Sequence, residues 1–388
     1  MKQMLIKNVK KGLLISFVAV LLSLSSCEGP FFLPADEIAA LAIVPYDGDL
    51  EWTTVTANAG WAGRYDHAVV VHDEKLWVLG GYNPNARGDT TSYCDDVWSS
   101  VEGLNWQLAT DSAPWKGRRG HAAVSLNGYL MVFGGFTVDE ATGARAYAND
   151  IWRSSDGVVW ELVITTGTIW RARMDHAVLV SGGKLYLLGG FYDGGFYLDD
   201  MWRSDDAGAT WVEVSAGALP GARASFAATV DSAGKLYLQG GSFKNAKPSS
   251  TGATDPSVVG WGRLWVYNPS AVSPVWAVAP KPFLENGMSK RSEHALSLFD
   301  GDILLLAGKA NSSYRFSAST YTYATLMYEF GIGWRTDSLG FGPGPRYSYG
   351  TAVWTPPGET GERLWVLGGM SNDGAQNDVW QAQKRGVE

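Results

Sequence analysis

Cysteine is almost missing from this chain. Its 388 residues hold two, Cys27 and Cys94, so no disulfide framework is available and a packed core has to hold the fold. Basic clusters are also scarce. The formal net charge is −8, and after Lys11 no run of lysines or arginines remains. Nucleic acid is excluded as a partner on that ground, because neutralising phosphates takes clustered cations. Long apolar runs are missing too. The one stretch of note, Leu13 to Leu24, is too short for a good membrane span, which needs about 20 residues.

That stretch has a different use. Lys2, Lys7, Lys10 and Lys11 precede it as a basic region, and it ends in Leu24-Ser25-Ser26-Cys27. This order is that of a secretory signal, and the tetrapeptide resembles the bacterial lipobox. The resemblance implies cleavage before Cys27 and lipidation of that cysteine. Residues 1–26 are then a lipoprotein signal peptide and residues 27–45 a lipidated tether, interrupted by Pro30, Pro34 and Pro45. Removing the four lysines of the signal takes the net charge from −8 to −12. With Cys27 consumed, Cys94 has no partner for a bridge and reads as an incidental small residue in the turn Ser92 to Asp96. The expected location is a bacterial cell envelope, as an outer-membrane lipoprotein facing the periplasm or the cell surface.

Glycine and tryptophan, by contrast, are plentiful, at 47 and 18, and they recur in register. Gly80-Gly81, Gly134-Gly135, Gly189-Gly190, Gly240-Gly241 and Gly368-Gly369 each close an apolar strand, and Ala307-Gly308 stands in the same place in a degenerate fifth copy. A spacing between 51 and 67 residues, filled with short strands, marks a propeller rather than two ordinary domains. In the first copy, His67 to Val71, Lys75 to Leu79, Asp95 to Trp98 and Asn105 to Leu108 read as four strands. The last copy lacks its fourth strand, while Asp47 to Val55 supplies one at the other end. Pairing of residues 50–55 beside 377–382 would close the ring and remove exposed edges.

The glycine pair followed by a spaced tryptophan resembles the kelch repeat across about residues 46–388. The resemblance implies an all-β fold: a six-bladed kelch-type β-propeller of four-stranded blades, closed by the N-terminal strand, in one domain over 46–388. Ser204 to Trp211 also resembles the Asp-box pattern Ser-x-Asp-x-Gly-x-Thr-Trp, with a shortened copy at Ser155 to Trp160. The aspartate and glycine of such a segment shape a turn, so it reads as structural.

Six arginines open the copies: Arg64, Arg118, Arg173, Arg223, Arg291 and Arg346. In a propeller this places them at the entry to the innermost strand, beside the channel, where a guanidinium fork suits carboxylate ligands. The alternative is a staple between blades, with Asp66, Asp175 and Glu293, two residues on, as partners. His67, His121, His176 and His294 share one repeat position that Phe226 and Tyr349 fill elsewhere. A position open to His, Phe and Tyr is a packing site, so no metal and no cofactor is expected. The insertions Ser242 to Gly260 and Asn311 to Thr325, the second with Tyr314 and Arg315, read as specificity loops on a rigid ring.

Related propeller enzymes set the limits of a catalytic reading. A galactose-oxidase-like copper site calls for a Tyr-His dipeptide, which is absent. A sialidase calls for an Arg-Ile-Pro motif, also absent. The bacterial sialic-acid epimerases (mutarotases) resemble the chain more, and the resemblance implies an acid/base residue, for which Glu293 is the weak candidate, beside an arginine. The expected function is a non-catalytic binding module for a glycan or protein partner, acting as a monomer. A sialic-acid epimerase is the alternative.

Overall fold

The computed structural model describes residues 50–86, 92–139, 141–214, 219–242, 263–279, 291–310, 320–321, 325–329, 333–336 and 342–384. The signal region, Cys27, the tether and the loop residues Tyr314 and Arg315 lie outside these.

Among the described residues all regular structure is strand, apart from one three-residue 3-10 turn at Asp193–Gly195. Each blade begins on a short innermost strand, such as Ala68–His72, Ala122–Leu126 or Ala177–Ser181, which pairs antiparallel with the next strand outward. That second strand is the most deeply packed. In Lys75–Tyr82 every residue between the two ends is buried, as a strand covered on both faces demands.

The glycine pair sits on this second strand and does two things. It produces a β-bulge, seen as a register shift between Leu79 and Gly81, and again between Phe133 and Gly135 and between Leu367 and Gly369. Both members hold positive φ, 57° and 106° for Gly80 and Gly81, which glycine adopts without the penalty a Cβ brings. A side chain at Gly80 would also strike the His121 ring of the next blade, and one at Gly81 would strike His67 of its own.

Leu50–Thr56 pairs antiparallel with the C-terminal strand Gly374–Lys384, from Leu50 opposite Lys384 to Thr56 opposite Val379. The two ends of the described chain therefore share one sheet.

The number and uniformity of the blades differ from the sequence expectation of six equal four-stranded units. Five blades are complete among the described residues: those opened by Ala68–His72, Ala122–Leu126, Ala177–Ser181, Ala227–Val230 and Gly350–Val353. Two of these belong to five-stranded sheets, extended by Gly117–Arg119 and by Arg346–Tyr347. The sector over residues 291–336 is built differently. Its arginine strand, Arg291–Ser292, pairs with Lys309–Ala310 in a separate three-stranded sheet, apart from the four strands behind it. The side chains of its outer strands, Thr325–Glu329 and Gly333–Thr336, lie outside the described residues. Its degenerate sequence gives a physical reason. Ala307 stands in place of the first glycine and is forced to φ 38°, strained for a residue with a Cβ.

Among the described residues five apolar cores fill gaps between neighbouring sheets. Trp61, Trp115 and Trp170, each three residues before an arginine, are among the most deeply buried side chains.

Candidate functional site

The arginines are placed first, because sequence reasoning put them at a ligand site. All six are buried, none more than 3% exposed, and none lines the central cavity. Each donates to the carbonyl of the first residue of the paired-glycine position: Arg64 to Gly80, Arg118 to Gly134, Arg173 to Gly189, Arg223 to Gly240, Arg291 to Ala307 and Arg346 to Gly368. Four also form two-pronged ion pairs, Arg64 with Asp96, Arg118 with Asp150, Arg173 with Asp200 and Arg346 with Asp378. In every one of these pairs the indole of Trp98, Trp152, Trp202 or Trp380 donates to the same carboxylate. The partners anticipated from sequence were Asp66, Asp175 and Glu293. The observed partners come 27 to 32 residues later, because the fork points outward into its own blade and away from the channel.

Burial opposes charge on Asp96 and Asp150, but the arginine fork and the indole outweigh it and hold both below the usual carboxylate range. Arg223 and Arg291, whose copies lack the aspartate at that register, are pulled down to about 9 and about 10 by burial.

The shared histidine position is a packing contact between blades. The ring of His121 lies against Gly80 of the preceding blade, His67 against Gly368 and His294 against Gly240, and Phe226 does the same at Gly189. Tyr349 donates its hydroxyl to Leu306 O at the matching place. None of the four imidazoles makes a hydrogen bond of good geometry. The backbone of Leu79 near His121 or Leu367 near His67 is close enough only to offset burial in part. Burial drives His67 and His121 down to about 3, and His176 and His294 well below their ordinary value. They are neutral at any physiological pH. Among the described residues no group of three or more His, Cys, Asp or Glu is placed to hold a metal ion.

Cys94 belongs to the strand Tyr93–Ser100 rather than to a turn, and burial pushes its thiol up to about 11, away from nucleophilic character.

The turns between the third and fourth strands behave as their sequences suggest. Ser204 Oγ receives the Gly208 N–H, Asp206 accepts from the backbone and hydroxyl of Thr210, and the Trp211 indole donates to Gly208 O. Ser154, Asp156, Gly157 and Trp160 repeat the arrangement.

The functional chemistry gathers instead at the residue two after each arginine. Asp66, Gly120, Asp175, Ser225, Glu293 and Ser348 all have positive φ, between 51° and 61°. Their backbones form a closed circle of hydrogen bonds: Gly120 N to Asp66 O, Asp175 N to Gly120 O, Ser225 N to Asp175 O, Glu293 N to Ser225 O, Ser348 N to Glu293 O and Asp66 N to Ser348 O, at 2.8–3.0 Å. This circle floors a cavity of about 150 Å³.

Carboxylates take alternate places on the circle. Glu293 is held by Lys309 Nζ at 2.9 Å and by the Ser348 hydroxyl. Asp175 accepts from the Ser225 hydroxyl at 2.8 Å. Asp66 faces the Arg119 guanidinium at 3.6 Å. Burial first, and then the nearby carboxylates, raise Asp66 to about 6 and Asp175 to about 8.

Next to the circle, starting at Tyr347 and Tyr65, which directly precede Ser348 and Asp66, runs an arc of aromatic rings in mostly edge-on contact, none of which lines that cavity. It runs from Tyr347 to Tyr65, Tyr82, Tyr93, Phe136, Tyr147 and Phe191, with successive centroids 5.0 to 6.4 Å apart. Arg119 lies over Tyr82 and Tyr93, and Lys309 over Tyr347. The arc continues into the hairpin Phe191–Tyr197, where Tyr192 stacks on Phe196 and Arg171 covers Tyr192. Phe196 at its tip is 60% exposed.

The KLHDC2/KLHL20/DRC7 Kelch-repeats domain model matches residues 46–241, just over half of the chain. The chain belongs to the kelch-repeat family. Kelch-repeat proteins commonly bind protein partners. The chain is 30% identical over 133 residues to Kelch domain-containing protein 3 of Rattus norvegicus, covering 34% of this chain and 32% of that one. It is 26% identical over 228 residues to Acyl-CoA-binding domain-containing protein 4 of Arabidopsis thaliana, covering 55% and 32%. The chain thus spans about a third of the length of these curated kelch relatives. Among solved structures, that of YjhT superposes with a TM-score of 0.63 at 13% identity, over 86% of this chain and 98% of that one, a likeness of fold.

Of the residues singled out in the sequence, Glu293, Asp66 and Asp175 reach the cavity, and so do the four histidines with Phe226 and Tyr349, whereas none of the six arginines lines it. The missed residues are Asp66 and Asp175 as floor groups, Arg119, and the aromatic arc. A signal for the arc was present: Tyr82, Phe136 and Phe191 each follow a kelch glycine pair directly.

Proposed function

We propose that this kelch propeller is a non-catalytic docking module for a protein or glycan partner, seated on the channel mouth, and that a lipid on Cys27 holds it at the envelope of a bacterium with an outer membrane. The observation that carries the docking reading is the contrast between cavity and mouth. Sites that enclose a small molecule run to about 300–1,000 Å³, and this cavity is about 150 Å³. The mouth in this reading presents a continuous arc of rings, half-buried apart from the buried Tyr93, and an exposed Phe196. Aromatic and arginine side chains of this kind anchor macromolecular interfaces. A partner lies across the mouth and sends at most one group inside.

A glycan array and a proteomic pull-down with residues 46–388 test the reading, with Tyr82→Ala and Phe196→Ala as paired variants. Capture that survives both substitutions refutes the mouth as the docking surface. Mass spectrometry of the mature N-terminus tests the anchor, and an unmodified terminus removes it.

One observation favours a second reading, an epimerase of the sialic-acid kind. Asp175, raised to about 8 beside Arg119, has the character of a channel acid/base. Proton NMR of sialic-acid anomers decides between the two. Faster exchange that is lost in Asp175→Asn or Glu293→Gln would replace docking with catalysis.

A further inference from the structure

We infer that the cavity receives one cationic side chain, a lysine or an arginine, carried by a protein partner. This rests on the docking reading and names the chemistry that enters the channel.

Three features of the floor point to a cation. First, every backbone N–H of the six floor residues is spent on the hydrogen-bond circle, so the floor offers no backbone donors to an anion. Second, the fixed charges do not balance. Three carboxylates, Asp66, Asp175 and Glu293, meet two cations. Lys309 is engaged by Glu293, and Arg119 stands off Asp66 at 3.6 Å. Among the described residues no ion pair reaches Asp175, which accepts only from the Ser225 hydroxyl. Third, that carboxylate sits over the one floor position without a side chain: Asp175 Oδ1, with Met174 Cε, fills the place a side chain at Gly120 would take.

The walls suit the same guest. Beside the floor residues they are His67, His121, His176, His294, Phe226 and Tyr349, and burial keeps the four imidazoles neutral, so none of them repels a cation. Ring faces beside carboxylates attract ammonium and guanidinium groups. The volume fits as well. A cavity of about 150 Å³ admits a guest the size of benzene, which a lysine or arginine end group matches and a whole sugar exceeds. The cation also relieves the crowding of like charges that lifts Asp66 and Asp175.

The test uses small probes on residues 46–388 at a pH above about 8, where Asp175 is ionised. Nα-acetyl-arginine amide and Nα-acetyl-lysine amide are titrated by NMR against Nα-acetyl-glutamine amide and acetate. Saturable shifts from the cations alone are expected, stronger for whichever end group the partner uses. At least a tenfold weakening is expected in Asp175→Asn and in Asp175→Ser, the latter placing at 175 the residue already held at positive φ by Ser225 and Ser348. Equal response to the glutamine or acetate probe, no response to the cations, or full binding by both folded variants overturns the inference. Phe196→Ala leaves the cavity intact and should bind the probes as the parent does. If the probes bind while no macromolecule is captured, docking fails and the cation site stands. If a partner needs Phe196 but ignores Asp175, or is a neutral glycan, the cation site fails and docking stands.

Discussion

Arg173→Ala should destabilise the propeller by about 3–5 kcal/mol, the usual cost of breaking a buried ion pair from one side. The environment supports the upper part of that range. Arg173 is fully buried, its two prongs reach Asp200 at 2.6 Å each, and it also donates to Gly189 O at 2.7 Å and Arg171 O at 2.8 Å. Alanine leaves Asp200, itself only 16% exposed, with the Trp202 indole as its remaining side-chain donor. At roughly 2.1 cal/mol/K of unfolding entropy per residue, a cooperative unit the size of Gly48–Glu388 should melt about 4–7 °C lower. Arg173→Lys keeps the charge and loses the fork, so its loss should be smaller but clear. The double variant Arg173→Met with Asp200→Leu should cost less than the two single changes summed, because neither charge is then stranded. Differential scanning calorimetry reads these variants and the two single changes. A melting temperature unchanged in Arg173→Ala, or singles that add without coupling, refutes the staple. If Arg173→Ala abolished partner binding at an unchanged melting temperature, the arginine would belong to the site after all.

Gly157→Ala should be severely destabilising in thermal melts, since the new methyl would enter the Trp77 ring at φ 74°, whereas Gly182→Asn, at φ 57° with open space around it, should be close to neutral. His121→Phe, which copies Phe226, should fold and flatten the acid limb of stability. The parent histidine has a folded pKa of about 3 against an unfolded value near 6.5, so its contribution is present above about 6.5 and is lost as pH falls toward 3. Urea titrations across that window check it, and an unchanged limb counts against a buried neutral ring. Deleting residues 50–56 removes the outer strand paired with Gly374–Lys384 and should yield a protease-sensitive, cold-melting domain; a truncated chain that melts with the parent would contradict the closure.

The repeat was legible because its signals are local. A glycine pair, an apolar strand and a tryptophan fall within about 20 residues, and their register repeats. The arginine's partner was not legible in the same way, since Asp96 lies on the third strand, 32 residues beyond Arg64. It had a trace, because Asp96-Val97-Trp98, Asp150-Ile151-Trp152, Asp200-Met201-Trp202 and Asp378-Val379-Trp380 share one spacing. The blade count failed at the degenerate copy, where Ala307 and the displaced Arg291–Ser292 strand depart from the pattern of the rest. Glu293 was found because it stands out as a glutamate at a blade entrance. Asp66 and Asp175 were seen, but assigned to the arginines beside them, because nothing in a linear reading shows that positive φ turns their side chains toward the axis.

That same left-handed conformation makes the floor a modular part. Its six peptide dipoles run head to tail around a closed loop and cancel, unlike the additive dipoles of a helix end. The backbone therefore contributes almost no net field to the channel, and the charge there is written by side chains alone, one letter per loop, as Asp, Gly, Asp, Ser, Glu, Ser. Small polar residues tolerate positive φ, so a single substitution at any of these places can change the electrostatic specification of the channel while every scaffold hydrogen bond stays in place.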